Sequence, residues 1–305
     1  MKFVIILTAL IVFATKITLA QELEATSLTY LKQAPPGLTP EIFAPEIVSK
    51  KNEYEFGSVF SKDGKELYYA VTIDGKAEIR YMQVEGDQWT APEKIIYSDQ
   101  YGYNDPFLSP DETKLFFISD QPLSGSGEKK DIDIWYVEKD GKGWSAPINA
   151  GTIINSEKNE YYISFTQTGT LYFASNVGTT EENKHDFDIY ASTLADGEFQ
   201  KPRKVGDAIN TTGYEADVFV AYDESYLIFC AEREEGFGRG DLYISFKNEE
   251  GMWTKAKNMG AAINTANYEF CPFVTKDGKY FFYSGNQDIY WVDAKIIDAL
   301  RQDIQ

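Results

Sequence analysis

The sequence predicts an all-β protein, a five-bladed β-propeller of four-stranded antiparallel blades, and three observations carry that prediction. A turn segment is written three times, as GTIINSEKNEYY at 151–162, GDAINTTGYEA at 206–216 and GAAINTANYEF at 260–270. An aromatic residue recurs at Trp89, Trp144, Phe199 and Trp253, a spacing of about 55 residues that falls in the range of arrays and propellers. The chain of 305 residues also holds 21 Tyr and 20 Phe, a bias toward strands.

Each repeat has four parts. The first two form a hairpin, an inner strand a turning tightly into strand b: FSKDGKELYYA (60–70), LSPDETKLFFIS (108–119), FTQTGTLYFAS (165–175), VAYDESYLIFCA (220–231) and VTKDGKYFFYS (274–284). Asp/Gly-type turns between alternating apolar runs are the mark of such hairpins. The third part, strand c, is EIRYM (78–82), DIWYV (133–137), DIYAS (188–192), DLYIS (241–245) and DIYWV (288–292). The fourth is WTAP (89–92), WSAP (144–147), FQKP (199–202) and WTKA (253–256), read as the outer strand d. A single four-stranded sheet cannot bury both faces alone, whereas radial packing of several does.

The inner strands begin near Tyr54, Tyr103, Tyr161, Tyr214 and Tyr268, which gives five blades. The fifth repeat lacks its outer strand and ends in DAKIIDALRQD, read as a short amphipathic helix. The missing strand is assigned to PEIFAPEIVS (40–49), which resembles QWTAPEKIIYS (88–98). It would complete the last blade, close the ring and remove an open edge. Gly-x-x-Ile-Asn-(Ser/Thr) is then the crossing from one blade's outer strand to the next blade's inner strand. Its Ile would wedge between blades, and its Asn and Ser/Thr would bond nearby backbone.

Residues 40–305 are read as one propeller domain and 21–39, with Pro35-Pro36-Gly37, as a surface lead-in. Residues 1–20 read as a secretory signal peptide: Lys2, the apolar run 3–15, and Thr18-Leu19-Ala20 as the cleavage site. The expectation is an exported protein, periplasmic or extracellular, with no stable membrane insertion after cleavage. A formal charge of −19 makes nucleic acid and anionic lipid poor partners. A monomer is expected. Cys230 and Cys271 lie in apolar runs and are expected as two buried free thiols, with a disulfide as the alternative that export permits.

The pattern SPDETKLFFISD…DIDIWYV (109–137), with its copies TKDGKYFFYS…QDIYWV and YDESYLIFCAEREEGFGRGDLYIS, resembles the WD40-like propeller repeat family, related to the TolB propeller, over about residues 40–293. The resemblance implies the propeller fold, export, and a role in binding or assembly. It implies no particular activity. TolB propellers have six blades where five are counted here, so no TolB-specific role is carried over.

The d–a crossings and the b–c loops should share one rim of the ring. The b–c loops at 119–131, 175–186 and 231–241 are long, and recognition usually lives on such loops. Tyr-Glu pairs recur there, Tyr54-Glu55, Tyr214-Glu215 and Tyr268-Glu269, joined by Tyr103, Asp105, Tyr161 and Asp217. Arg233 and Arg239 lie in one of the long loops. Aromatic faces beside carboxylates suit sugars, cations or a basic peptide, although residues repeated in every blade are more often architectural. Tyr103, Asp105, Tyr161, Tyr214, Glu215, Asp217, Arg233, Arg239, Tyr268 and Glu269 are the candidate ligand-binding residues.

The function expected is a non-catalytic protein- or peptide-binding module. The alternative is a carbohydrate-binding protein or a glycoside hydrolase using Asp105, Glu215, Asp217 and Glu269 at the channel mouth. No cofactor is expected. Calcium at Asp131/Asp133 or Asp186/Asp188 would lack the spacing of a known loop. The acids opening the c strands, Asp133, Asp188, Asp241 and Asp288, are expected to accept backbone hydrogen bonds at the b–c turn. His185 is the single histidine and lies in a charged loop, so no His-based triad or zinc site is read.

Overall fold

The computed structural model describes residues 29–141 and 143–302. The signal-peptide reading of residues 1–20 lies outside them. No helix among the described residues is long and apolar enough to cross a membrane.

Five antiparallel sheets stand around a central axis. Blade 1 is built from Tyr54–Phe60, Glu66–Ile73, Lys76–Glu85 and Glu93–Ile96. Blade 2 follows with Tyr103–Leu108, Lys114–Ser119, Asp133–Glu138 and Ile148–Asn149, and blade 3 with Glu160–Phe165, Leu171–Ser175, Asp188–Ser192 and Arg203–Lys204. Blade 4 comprises Glu215–Val220, Tyr226–Ala231, Asp241–Phe246 and Lys257–Asn258. Blade 5 takes Glu269–Val274, Tyr280–Gly285 and Asp288–Asp293 from one end of the chain and Glu41–Ile42 from the other. Each innermost strand touches the innermost strands of both neighbouring blades, so the ring is closed.

The closure is sealed by packing as well as by pairing. Glu41 and Ile42 lie opposite Trp291 and Tyr290, and the Phe43 N–H donates to the Ile289 carbonyl at 2.8 Å. The Phe43 ring is fully buried between Phe60 of blade 1 and Phe282 and Trp291 of blade 5, at centroid distances of 5.7, 5.1 and 5.2 Å. Just upstream, in the stretch read as a surface lead-in, Tyr30 is buried edge-on against Phe60 and Tyr280.

One sequence reading is corrected in detail. The aromatic-x-x-Pro segments are not strand d. Trp89, Trp144, Phe199 and Trp253 pair back on Val84, Lys139, Leu194 and Lys247, in the c–d hairpins. The outer strand proper follows the proline position, two to four residues long.

The repeated crossing has a repeated hydrogen-bond function. Asn155, Asn210 and Asn264 accept from the N–H and donate to the carbonyl of Ile134, Ile189 and Leu242, in the c strand of the preceding blade. Ile154, Ile209 and Ile263 are buried beside them. The following Ser156, Thr211 and Thr265 bind the buried Glu160, Glu215 and Glu269 of the next blade through both N–H and hydroxyl. Backbone with no ladder of its own is thereby satisfied.

At the far end of the axis, Phe107, Phe165, Phe219 and Phe273 form an aromatic plug. The C-terminal helix Lys295–Gln302 lies against that end, with Ile297 buried and Arg301 over the Phe246 ring. Asp293 Oδ1 accepts the N–H of Lys295 at the helix start.

Candidate functional site

The innermost strands align without gaps: EFGSVF (55–60), YNDPFL (103–108), EYYISF (160–165), EADVFV (215–220) and EFCPFV (269–274). Each pairs with strand b through a β-bulge. The third residue of every segment is left-handed: Gly57 (φ 56°), Asp105 (52°), Tyr162 (47°), Asp217 (51°) and Cys271 (50°). For residues other than glycine this conformation is strained. The geometry is five-fold, but the five side chains are not.

The bulge separates two acids that stand two apart on one strand. Glu215 and Glu269 sit at the first position, 0% and 2% exposed, and their carboxylates receive Thr211 and Thr265 between the blades. Asp105 and Asp217 sit at the bulge and meet Cys271 at the centre of the ring. Donor atoms of these three side chains all lie within 4.8 Å of one another. The Cys271 thiol donates to Asp105 Oδ1 at 3.4 Å. Gly57 makes room for the group: a Cβ there would come within 3.2 Å of Asp105 Oδ1 and 3.3 Å of its Cα. Tyr162 turns aside, its hydroxyl donating to the Pro272 carbonyl at 2.8 Å.

Burial dominates the electrostatics here. It raises the Asp105 carboxyl to about 7, although the Cys271 thiol opposes the shift. Burial, and then the nearby Asp105 charge, push Asp217 well above the usual carboxylate range. The Cys271 thiol is pushed up by burial and by both acids.

Above this layer the channel opens on the b–c/d–a rim. Tyr54, Tyr214 and Tyr268, with His185, Glu232 and Arg239, line a cleft of about 330 Å³. The Tyr268 hydroxyl donates to that of Tyr214 at 3.2 Å. Tyr161 stacks on Phe187 at 4.7 Å. The 231–241 loop is held close to the next crossing: the Arg239 N–H donates to the Asn267 carbonyl at 3.0 Å, and a Cβ on Gly240 would strike the Tyr268 ring at 2.3 Å.

Of the ten residues singled out from sequence, the structure gathers Asp105 and Asp217 at the ring centre and Tyr214, Tyr268 and Arg239 at the mouth. Tyr161 flanks the mouth. Tyr103 is buried, its hydroxyl on Gln121 Oε1 at 2.9 Å. Arg233 points inward, donating to the Ile209 carbonyl at 3.1 Å, stacking 4.4 Å over Tyr243 and reaching Glu215 at 3.5 Å. Glu215 and Glu269 serve the crossings. Cys271, Gly57 and Tyr162 were not singled out, and only the aligned strands reveal them, as the variable column of a repeat. The two acidic pairs considered for calcium are engaged locally. Lys130 lies between Asp131 and Asp133, Lys204 on Asp188, and the Gly213 N–H on Asp186. Among the c-strand acids, Asp241 accepts the backbone N–H groups of Phe237 and Gly238, whereas Asp133 and Asp188 hold lysines. Both cysteines are free and buried.

No family model and no curated protein sequence matches the chain. Solved structures do resemble it. A thermostable family-43 glycoside hydrolase superposes with a TM-score of 0.50 at 14% identity, over 80% of this chain and 90% of that one. The α-L-arabinofuranosidase PaAbf62A from Podospora anserina gives 0.50 at 11%, over 84% and 96%. TolB from Acinetobacter baumannii gives 0.47 at 12%, over 80% of this chain and 55% of that one. At such identities the likeness is one of fold: the chain is an all-β, five-bladed propeller, and the two glycosidases share a propeller scaffold with it.

Proposed function

We propose that the protein is an exported binding module that takes a peptide segment of a partner protein at the tyrosine-lined mouth of its central channel. One observation carries this reading: Tyr54, Tyr214 and Tyr268 converge with Glu232 and Arg239 on a cleft of about 330 Å³, on the rim that bears the long loops. Tyr supplies contact area at low entropic cost, and Tyr and Arg are enriched among the residues that dominate binding energetics. The Tyr268 ring packs tightly against the Gly240 backbone, where a Cβ would meet it at 2.3 Å. The apolar run at 3–15 supports export.

The test is selection of random displayed peptides on the immobilised protein, followed by fluorescence anisotropy with the enriched sequence. Tyr54→Ala and Arg239→Ala should each weaken binding about tenfold or more, the loss typical of a contact that matters. Binding that ignores both substitutions would overturn the reading.

A second reading rests on the Asp105–Asp217 pair. A carboxyl raised to about 7 beside another acid is the raw material of glycoside hydrolysis. Turnover of aryl glycosides, abolished in Asp105→Asn, would establish it in place of the first.

A further inference from the structure

We propose that Asp105, Asp217 and Cys271 form a binding site for a single divalent transition-metal ion of the zinc type. The site sits on the propeller axis and is independent of what the rim binds. Three donor atoms from three different blades lie within 4.8 Å of one another. A tetrahedral ion with oxygen ligands near 2.1 Å and sulfur near 2.3 Å keeps its donors about 3.5 Å apart. Cys271 Sγ and Asp105 Oδ1 already stand at 3.4 Å, and the Asp217 carboxylate, within 4.8 Å of both, is the donor that would have to draw in.

A separate observation points to a ligand. Asp217 is 6% exposed, its carboxylate lies within 4.8 Å of the other two donors, and burial and the Asp105 charge act on it with no hydrogen bond from a described residue among the influences. A buried carboxylate without a donor or a counter-charge is costly. Among the described residues no positive charge acts on the three side chains. The charged or titratable groups acting on the trio are its own members and Cys230, and the tyrosines that feel its charge are Tyr54, Tyr161, Tyr162, Tyr214 and Tyr268. Two acids and a thiol in that setting must hold protons or share one cation.

The donor set selects the class of ion. A thiolate is foreign to calcium and magnesium, which take oxygen. Mixed sulfur and carboxylate suits zinc and its neighbours. Three protein ligands leave a fourth position for water or a ligand group. The absence of a Cβ at Gly57, which would crowd Asp105, keeps space beside the donors. On binding, the Cys271 thiol and any protonated carboxyl release their protons to solvent and the ion takes their place, with no change of oxidation state.

Cobalt(II) is the probe. Titrated into chelator-treated protein, it should saturate at about one equivalent and raise a thiolate-to-cobalt charge-transfer band in the near ultraviolet, which zinc then displaces. Cys271→Ser should lose the band, while Cys230→Ser keeps it. Asp217→Asn should weaken cobalt binding about tenfold or more. Circular dichroism establishes that each variant is folded, and if Cys271→Ser is not, Asp217→Asn alone decides. Zinc should raise the melting temperature of the wild type and not of Asp217→Asn, by the usual linkage. No charge-transfer band in the wild type, a band retained in Cys271→Ser, or equal affinity in Asp217→Asn would overturn the proposal, leaving the trio as a protonated cluster.

Discussion

Glu160→Gln should make this protein more stable at pH 8 and leave it nearly unchanged at pH 4.5. Glu160 is 0% exposed at the head of the blade 3 inner strand. Its Oε1 accepts the Ser156 and Ser175 hydroxyls at 2.7 and 2.8 Å, and its Oε2 accepts the Ser156 N–H at 3.0 Å. Those bonds favour the charged form. Burial outweighs them, with the Asp133 charge adding to it, and the carboxyl rises from 4.5 to about 7. Below pH 4.5 the group is protonated in both folded and unfolded chains, and its contribution is fully present. Between 4.5 and 7 the folded chain keeps a proton that the unfolded chain releases, so stability falls by about 1.4 kcal/mol per pH unit. Above 7 that contribution is gone, a total of about 3 kcal/mol. Glutamine never ionises. Its carbonyl can still accept the Ser156 N–H, and its amide can donate to a rotated serine hydroxyl. Urea denaturation of wild type and variant, followed by tryptophan fluorescence from pH 4.5 to 8, gives the difference profile. Glu55, also raised to about 7 chiefly by burial, contributes equally to both chains and cancels. The difference should grow from near zero to about 3 kcal/mol in favour of the variant. A flat difference, or a variant weaker at pH 8, would show that the three hydrogen bonds defeat burial and refute the reasoning.

Asn210→Ala removes an acceptor for the Ile189 N–H and donors to the Ile189 and Val205 carbonyls, so it should cost about 2–4 kcal/mol in urea unfolding. Phe43→Ala empties the wedge between blades 1 and 5 and should cost about 3–5 kcal/mol, with hydrogen exchange rising first in Asp288–Asp293 as the closure loosens. Neither Cys230 nor Cys271 should react with a thiol reagent in the native protein, because both are buried and raised well above their usual value, chiefly by burial. Both should react at once in denaturant.

The blades, their count and the closure by the stretch around Phe43 are legible in the sequence, because each follows from a local rule stated several times over. The a–b turns are an example: Ser61, Ser109 and Thr275 each bind an aspartate two residues on and cap the b strand. The outer strand was less legible. Its aromatic signal belongs to the hairpin before it, and a two-residue strand such as Arg203–Lys204 carries no period of its own. At the site, the difficulty was the bulge. Alternation puts Glu215 and Asp217 on one face of a regular strand, which is why they read as one acidic set. The left-handed residue at 217 breaks the alternation, so Glu215 turns between blades and Asp217 toward the axis. Cys271 is legible as a buried free thiol, as found, but its place beside the two acids is not: in its own segment, EFCPFV, it looks like an ordinary core residue.

The bulge column also shows where this ring departs from economy. A left-handed residue is free of strain only as glycine, and blade 1 uses glycine there. The other four blades place Asp, Tyr, Asp and Cys in the same conformation, each at a cost of order 1 kcal/mol or more. A scaffold selected for stability alone would have written glycine, or at least one residue, five times, as it wrote Asn three times in the crossings. It would not have set two carboxyls and a thiol together in a buried space. Strain and desolvation coincide on three residues whose one side-chain hydrogen bond, from the Cys271 thiol to Asp105, stays within the group. The neighbouring Glu160, Glu215 and Glu269, equally buried, are bound by hydroxyl and N–H groups at three of the crossings. That contrast, drawn between side chains two positions apart on the same strands, separates the part of the acidic inventory that builds the ring from the part that the proposed metal site would use.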